Sequence, residues 1–184
     1  WVLNAAAYTA VDRAEHEPKL AHAVNVAAPA AFAAVLARTG GRMLQVSTDF
    51  VFDGSQGSPY QTQQPVAPLG VYGASKAAGE LEVQSALGDH AHVLRTGWVY
   101  GPVGSNFLLA MLKLHALKAA AGEPLYVVAD QVGCPTSTSG LAAACWRVIV
   151  RGRQLSSDAK YGQPLLPILH WSDAGAASWY DFAV

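Results

Sequence analysis

Charged residues and cysteines are both scarce in this sequence, and each shortage excludes a class of protein. Charged residues make up 14% of the 184 residues, and 12 Lys and Arg nearly balance 13 Asp and Glu, which leaves a net charge of −1. A protein that follows the phosphate backbone of a nucleic acid needs a basic surplus, so no nucleic-acid partner is expected. The hydrophobic fraction of 52% is too high for a disordered chain.

The few cysteines and the short apolar runs bear on where the protein works. Cys134 and Cys145 are too few for a disulfide scaffold, and two free thiols are typical of a reducing compartment. The longest apolar run, residues 26–37, contains Pro29 and falls short of the roughly 20 residues that a membrane span needs. We therefore expect a cytoplasmic protein with no membrane partner. The histidines show no metal-ligand spacing, and no metal is expected either.

Both ends of the sequence read as interrupted elements. The first residues, from Trp1, follow a strand pattern, and Ser178 and Asp181 have the spacing of a helix-opening capping box that the chain does not continue. The sequence also contains no G-x-G-x-x-G turn, the usual cradle for a dinucleotide pyrophosphate. We therefore expect a fold truncated at both ends, which on its own binds a dinucleotide weakly or not at all.

Short apolar runs rich in β-branched residues alternate with longer stretches of helical period. The predicted strands are 1–6, 42–48, 92–96, 125–129 and 168–171. The predicted helices are 18–24, 29–39, 71–87, 107–121 and 137–151, with a loop over 53–69. This alternation predicts an α/β fold, a parallel sheet covered by helices on both faces, with its chemistry at the carboxyl ends of the strands.

A threonine, a tyrosine and a lysine fall where such a sheet collects its chemistry. Thr48 ends the predicted strand 42–48, and Tyr72 and Lys76 lie four residues apart at the start of the helix 71–87. Residues at i and i+4 share a helix face, so the phenol and the ammonium are expected to point into one site. A nearby ammonium lowers the pKa of a phenol, which suits proton transfer to a carbonyl oxygen.

Six blocks of sequence, spread in order over nearly the whole chain, carry a family resemblance. They are NAAAYTAVD at 4–12, VSTDFVFDG at 46–54, VYGASK at 71–76, LRTGWVYGP at 94–102, DQVGCPT at 130–136 and SWYDFA at 178–183. With these blocks the chain resembles the extended short-chain dehydrogenase/reductases, and within them the dTDP-4-dehydrorhamnose reductase family. The resemblance implies a Rossmann-like fold and a cytoplasmic enzyme of nucleotide-sugar biosynthesis.

The resemblance also implies a reaction and the residues that perform it. The expected reaction is the reduction by NADPH or NADH of the C4 ketone of dTDP-4-dehydro-L-rhamnose, a dTDP-linked 4-keto-6-deoxy sugar, to dTDP-L-rhamnose. Tyr72 is the implied proton donor, Lys76 lowers its pKa and holds the nicotinamide ribose, and Thr48 is the third catalytic residue. The remaining implied residues bind the cofactor (Ala5, Ala6, Ala7, Tyr8 and Thr9) or, together with Thr48, the substrate (Asp49, Trp98 and Asn106).

Close packing at 5–9, a core role for Trp98 and a helix cap at Asn106 are the structural alternatives to these roles. Sugar-nucleotide dehydratases carry an acidic residue directly after the Thr-Asp pair, where this chain has Phe50, so a dehydratase is not expected. A nucleotide-sugar 4-epimerase, a non-catalytic regulatory homologue and an inactive fragment stay open.

The stretch 151–167 is rich in loop-forming residues and predicts a division of the chain after residue 150. Residues 1–150 are expected to form part of the dinucleotide-binding domain, and residues 151–184 the beginning of the substrate-binding portion. A sheet edge left open by the truncation makes a homodimer an expectation.

Overall fold

The structure is a computed structural model that describes residues 1–157 and 164–184. Its strands are β1 (Val2–Asn4), β2 (Met43–Thr48), β3 (Ala91–Thr96), β4 (Val99–Tyr100), β5 (Val132–Gly133), β6 (Thr136–Ser137), β7 (Ile168–His170) and β8 (Ala177–Ser178). Its α-helices are α1 (Val11–Ala14), α2 (Pro18–His22), α3 (Ala28–Thr39), α4 (Val71–Leu87), α5 (Phe107–Ala121), α6 (Thr138–Ser157) and α7 (Trp179–Ala183).

The chain divides into two compact units. The first contains residues 1–95 and 145–170, and the second contains residues 96–144 and 171–184. The sequence-based boundary at residue 150 concerns functional domains and stays a prediction.

The first unit is built on a four-stranded sheet in the order β1-β2-β3-β7. β1 pairs in parallel with β2, and β3 pairs in parallel with β7. A core of fully buried side chains joins α3 and α4 to this sheet, with Ala33, Met43, Val83 and Ala91 in contact. The predicted α/β fold with a parallel sheet is confirmed.

The two predicted helices at 18–24 and 29–39 are one continuous helical run. A π-helical segment, Ala23–Ala27, joins α2 to α3, and Pro29 lies in the first turn of α3. Proline has no N–H and cannot donate the hydrogen bond of a regular α-helix. The wider π-helical turn lies directly before this missing donor. By length and composition alone the 22-residue run Pro18–Thr39 is apolar enough to cross a membrane. All three parts of this run contact α4 in this structure.

The second unit contains α5, α7 and two small sheets, β4 with β6 and β5 with β8. The predicted strand at 125–129 is wrong, because residues 123–129 form no strand. Tyr126 and Val128 are 88% and 52% exposed, and an apolar pattern forms a strand only where a neighbouring edge takes up its backbone groups. In the described part of the chain, the backbone bond recorded for this segment runs from the Tyr180 N–H to the Val128 carbonyl (3.0 Å).

Candidate active site

The carboxyl end of β2 leads directly into a tight turn. Thr48 is buried and ends the strand, and its hydroxyl oxygen accepts a hydrogen bond from the Phe50 N–H at 3.2 Å. This bond caps the short 3₁₀ turn Asp49–Val51 and fixes where the strand ends. The same hydroxyl donates to Asp49 Oδ1 at 3.2 Å.

Gly73 lets the first turn of α4 press against this 3₁₀ turn. A side chain at Gly73 would collide with the Phe50 carbonyl group, so only glycine permits the observed approach. Glu15, which follows α1, accepts a hydrogen bond from the Val71 N–H at 2.7 Å and thereby satisfies a free donor at the start of the helix. These contacts hold the beginning of α4 over the end of β2.

Tyr72 is buried beside Thr48 as a result. The Thr48 hydroxyl lies near enough to the Tyr72 phenol to affect its pKa, and the Phe50 ring lies edge-on to the phenol ring with 5.6 Å between centroids. Burial raises the pKa of Tyr72 above its ordinary value, the Thr48 hydroxyl lowers it and the Asp49 charge raises it. The phenol of the chain alone therefore stays protonated at neutral pH.

The Lys76 ammonium turns towards β2. Its Nζ donates to the Val46 carbonyl at 2.8 Å, and the side chain is buried. Burial lowers the pKa of Lys76 to about 8, while the nearby Glu80 carboxylate acts in the opposite direction.

The expected lowering of the Tyr72 pKa by Lys76 is absent from this geometry. Burial, Thr48 and Asp49 are the influences on that pKa, and their net effect is upward. The physical reason is that the Lys76 ammonium donates a hydrogen bond to the Val46 carbonyl. Helix spacing alone had predicted that it points at the phenol.

Asp49 lies next to the hydroxyl pair. Desolvation raises the pKa of its carboxyl group, while hydrogen bonds from Thr48 and from backbone N–H groups lower it. Because the residue as a whole is exposed, we regard its carboxylate as ionised near neutral pH.

The segment Ala5–Thr9 leaves β1 at the same end as Thr48 leaves β2, since the two strands are parallel neighbours. Ala5, Ala6 and Thr9 are exposed, and Ala7 and Tyr8 are half-buried. Because alanine side chains are small, the backbone of Ala5 and Ala6 is accessible at this edge of the sheet. That arrangement leaves room for the close approach of a flat cofactor ring, and the roles of Ala5–Thr9 in cofactor binding stay predictions.

Asn25 holds this segment in place and was not predicted from the sequence. Its Oδ1 accepts from the Tyr8 N–H at 2.8 Å, and its Nδ2 donates to the Tyr8 carbonyl at 3.1 Å and to Ser75 Oγ at 3.0 Å. The side chain therefore ties the end of β1 to α4. The signal in the sequence was an amide between Val24 and Val26, a lone polar residue in an apolar helix.

Trp98 and Asn106 belong to the second unit. The Trp98 ring stacks on the Trp179 ring with centroids 3.4 Å apart, and its backbone φ of 52° is left-handed, which is strained for a bulky residue. Asn106 caps α5, because its Oδ1 accepts from the Leu109 N–H at 3.1 Å. The roles of Trp98 and Asn106 in substrate binding stay predictions.

Of the predicted site residues, the structure brings Thr48, Asp49, Tyr72 and Lys76 together in the first unit. A threonine, a tyrosine and a lysine at the carboxyl end of a Rossmann-like sheet define an extended short-chain dehydrogenase/reductase. The family model described as "RmlD substrate binding domain" matches residues 1–184. The chain belongs to that family.

Known relatives agree with this assignment. The dTDP-4-dehydrorhamnose reductase of Sinorhizobium fredii is 43% identical over 182 residues, covering 99% of this chain and 58% of the relative. A probable dTDP-4,6-dihydroxy-2-methyloxan-3-one 4-ketoreductase of Streptomyces antibioticus is 42% identical over 184 residues, covering 99% of this chain and 57% of the relative. The crystal structure of dTDP-4-dehydrorhamnose reductase from Bacillus anthracis in complex with NADP is 34% identical, with a TM-score of 0.85 over 98% of this chain and 59% of that one.

The chain thus spans somewhat more than half the length of the relatives it matches. What those proteins do as wholes comes to this chain only as a proposal.

Proposed function

We propose that this chain carries the catalytic residues of an NAD(P)H-dependent reductase that converts the C4 ketone of dTDP-4-dehydro-L-rhamnose to an alcohol. The observation that carries the proposal is that Thr48 and Tyr72 are both buried where the end of β2 meets the start of α4, with the charged Lys76 one helical turn further along. Support for the substrate class comes from relatives named for dTDP-sugar reduction.

The bound dinucleotide supplies the hydride that reduces the ketone carbon. Tyr72 donates its hydroxyl proton to the carbonyl oxygen, so that a ketone becomes an alcohol and a phenolate is left on the protein. Thr48 donates a hydrogen bond to the same oxygen and orients it. Water returns the proton to Tyr72 when the product leaves.

The pKa of Tyr72 is raised in the chain alone, mainly by burial, so the phenol carries the proton that it is proposed to donate. The Lys76 ammonium lies on the same face of α4, and we assign to it the contact with the nicotinamide ribose.

The residues at the end of β1 are suited to binding the nicotinamide of a dinucleotide. Ala5 and Ala6 are small and exposed at the end of β1, and Asn25 fixes the backbone beside them. We assign the contact with the nicotinamide end of the dinucleotide to Ala5–Thr9, Tyr72 and Lys76.

Phe50 favours a reductase over a dehydratase. Its ring contacts Tyr72 at the position where a dehydratase needs an acidic side chain to eliminate water. A phenyl ring has no proton to give or take, so elimination lacks its acid at this place.

The test is the oxidation of NADPH by the full-length protein, meaning this chain with whatever sequence flanks it, in the presence of dTDP-4-dehydro-L-rhamnose. We expect Tyr72→Phe to lower kcat by about 10²- to 10⁴-fold, the usual contribution of a positioned acid. Tyr126→Phe is the matched control, since Tyr126 is 88% exposed and is expected to change nothing.

Other outcomes point to the alternatives. Hydride transfer that survives Tyr72→Phe unchanged contradicts the proton-donor assignment. A wild-type protein that oxidises no NADPH favours a non-catalytic homologue, and one that interconverts C4 epimers without net oxidation favours a 4-epimerase.

We also propose that the protein forms a homodimer. A monomeric mass by light scattering would count against it.

A further inference from the structure

A buried carboxylate lies one turn beyond Lys76 and takes no part in the reaction described so far. Glu80 is 3% exposed. Arg95 on β3 donates a hydrogen bond to each of its carboxylate oxygens, from Nε to Oε1 at 3.0 Å and from Nη2 to Oε2 at 2.6 Å. The Ser47 hydroxyl donates a further, short hydrogen bond to Glu80. Removing a charge from such a site is costly, because its partners are buried as well.

Tyr72, Lys76 and Glu80 follow one another at four-residue intervals along α4 and so share one face. Each lies against a different residue at the end of β2. Thr48 lies beside Tyr72 and lowers its pKa, the Val46 carbonyl accepts from Lys76, and Ser47 donates to Glu80. The third contact therefore fixes the same register between strand and helix that the two catalytic side chains need.

We propose that Glu80 is a positioning residue for the proposed reductase reaction, which holds the face of α4 against the end of β2 and keeps Lys76 charged. The inference rests on the proposed function, since it assigns Glu80 its role through Lys76.

The charges around Lys76 support this role. Burial lowers the pKa of Lys76, and Glu80 is the charged group that raises it again. Asp49, beyond β2, acts on Tyr72, and Glu15, beyond α1, is bonded to the backbone of Val71. Without the Glu80 carboxylate, the Lys76 ammonium loses the anion that favours its charged form.

Arg95 is bonded to both carboxylate oxygens of Glu80, which affects how a Glu80 variant is interpreted. Its guanidinium lies 5.1 Å from the centre of the Phe52 ring, and its Nη1 has no hydrogen-bond partner among the described residues. Glu80 is thus the principal ion-pair partner of Arg95. A variant that neutralises Glu80 also leaves the buried Arg95 guanidinium without that partner. A sound test has to separate that structural penalty from the effect on Lys76.

The experiment compares Glu80→Gln with Glu82→Gln in the full-length protein, measuring the pH profile of kcat for NADPH-dependent reduction. Glu82 is exposed on the same helix and serves as the matched control. We expect Glu80→Gln to move the alkaline limb of the profile to lower pH by about one unit, as loss of a neighbouring opposite charge does, while KM for the sugar nucleotide changes little. Glu82→Gln is expected to keep the wild-type profile, and a folded Glu80→Gln with an unmoved limb overturns the proposal.

A double variant, Glu80→Gln with Arg95→Met, removes the stranded cation. We expect its melting temperature to rise above that of Glu80→Gln while its alkaline limb stays displaced. If both the melting temperature and the limb return to wild-type values, Glu80 is merely structural and the proposal falls. The double variant also decides the matter if Glu80→Gln fails to fold.

Failure of this inference is distinguishable from failure of the proposed function. A wild-type protein that is active and loses activity with Tyr72→Phe upholds the function, whatever the Glu80 variants do. Absence of wild-type activity, by contrast, removes both.

Discussion

Replacing the buried Lys76 by methionine is expected to stabilise the protein at neutral pH while abolishing activity. The pKa of this lysine is lowered from 10.5 to about 8 in the folded state, and the side chain is 5% exposed. A shift of about 2.5 units at about 1.36 kcal/mol each means that keeping the charge buried costs about 3 kcal/mol. Loss of the hydrogen bond to the Val46 carbonyl gives back about 1 kcal/mol. Lys76→Met should therefore raise the free energy of unfolding by about 2 kcal/mol at pH 7.

The pH dependence isolates the ammonium from other effects of the substitution. A lysine whose pKa is lowered by folding releases its proton earlier in the folded state than in the unfolded state, so the wild type gains stability as pH rises above about 8. Between about pH 7 and about pH 9.5 this gain amounts to about 2 kcal/mol, and Lys76→Met lacks it.

Urea unfolding of both full-length proteins across this range provides the difference curve, in which every other titrating group cancels. Parallel curves would refute the reasoning, because they would mean that Lys76 has the same pKa folded and unfolded.

Two further substitutions probe how the site is assembled. Gly73→Ala places a methyl group against the Phe50 carbonyl, and we expect it to lower the free energy of unfolding by about 1–3 kcal/mol and to reduce kcat. Gly57→Ala is its control, since no described atom lies within 4 Å of the added carbon, and equal effects of the two would contradict the packing argument. Asn25→Ala frees the backbone of Tyr8 and should cost about 1–3 kcal/mol in thermal or urea unfolding while raising KM for NADPH. An unchanged KM would show that Asn25 does not support cofactor binding.

The hydroxyls and the lysine were predictable because each depends on local spacing. A threonine that ends an apolar strand lies at the carboxyl edge, and a tyrosine and a lysine four residues apart share a helix face. Those two rules place Thr48, Tyr72 and Lys76 correctly in the fold. They do not fix where a long side chain ends, which is why the bond from Lys76 to the Val46 carbonyl was missed.

The supporting residues depend on contacts far apart in the sequence. Glu80 meets Arg95 across 15 residues and Ser47 across 33, and Asn25 meets Ser75 across 50. No pattern within one element encodes such pairs. The predicted strand at 125–129 failed for the same reason, since a strand is defined by a partner and not by its own apolar residues.

Lys76 and Glu80 together separate two explanations of lost activity. A buried ammonium costs stability, so removing it with Lys76→Met stabilises the fold, whereas removing the Glu80 carboxylate strands Arg95 and destabilises it. Both changes nevertheless impair the proposed reaction. Opposite changes in stability, with the reaction impaired in both variants, cannot arise from unfolding alone, and they are the result expected if the reaction needs the charge at Lys76.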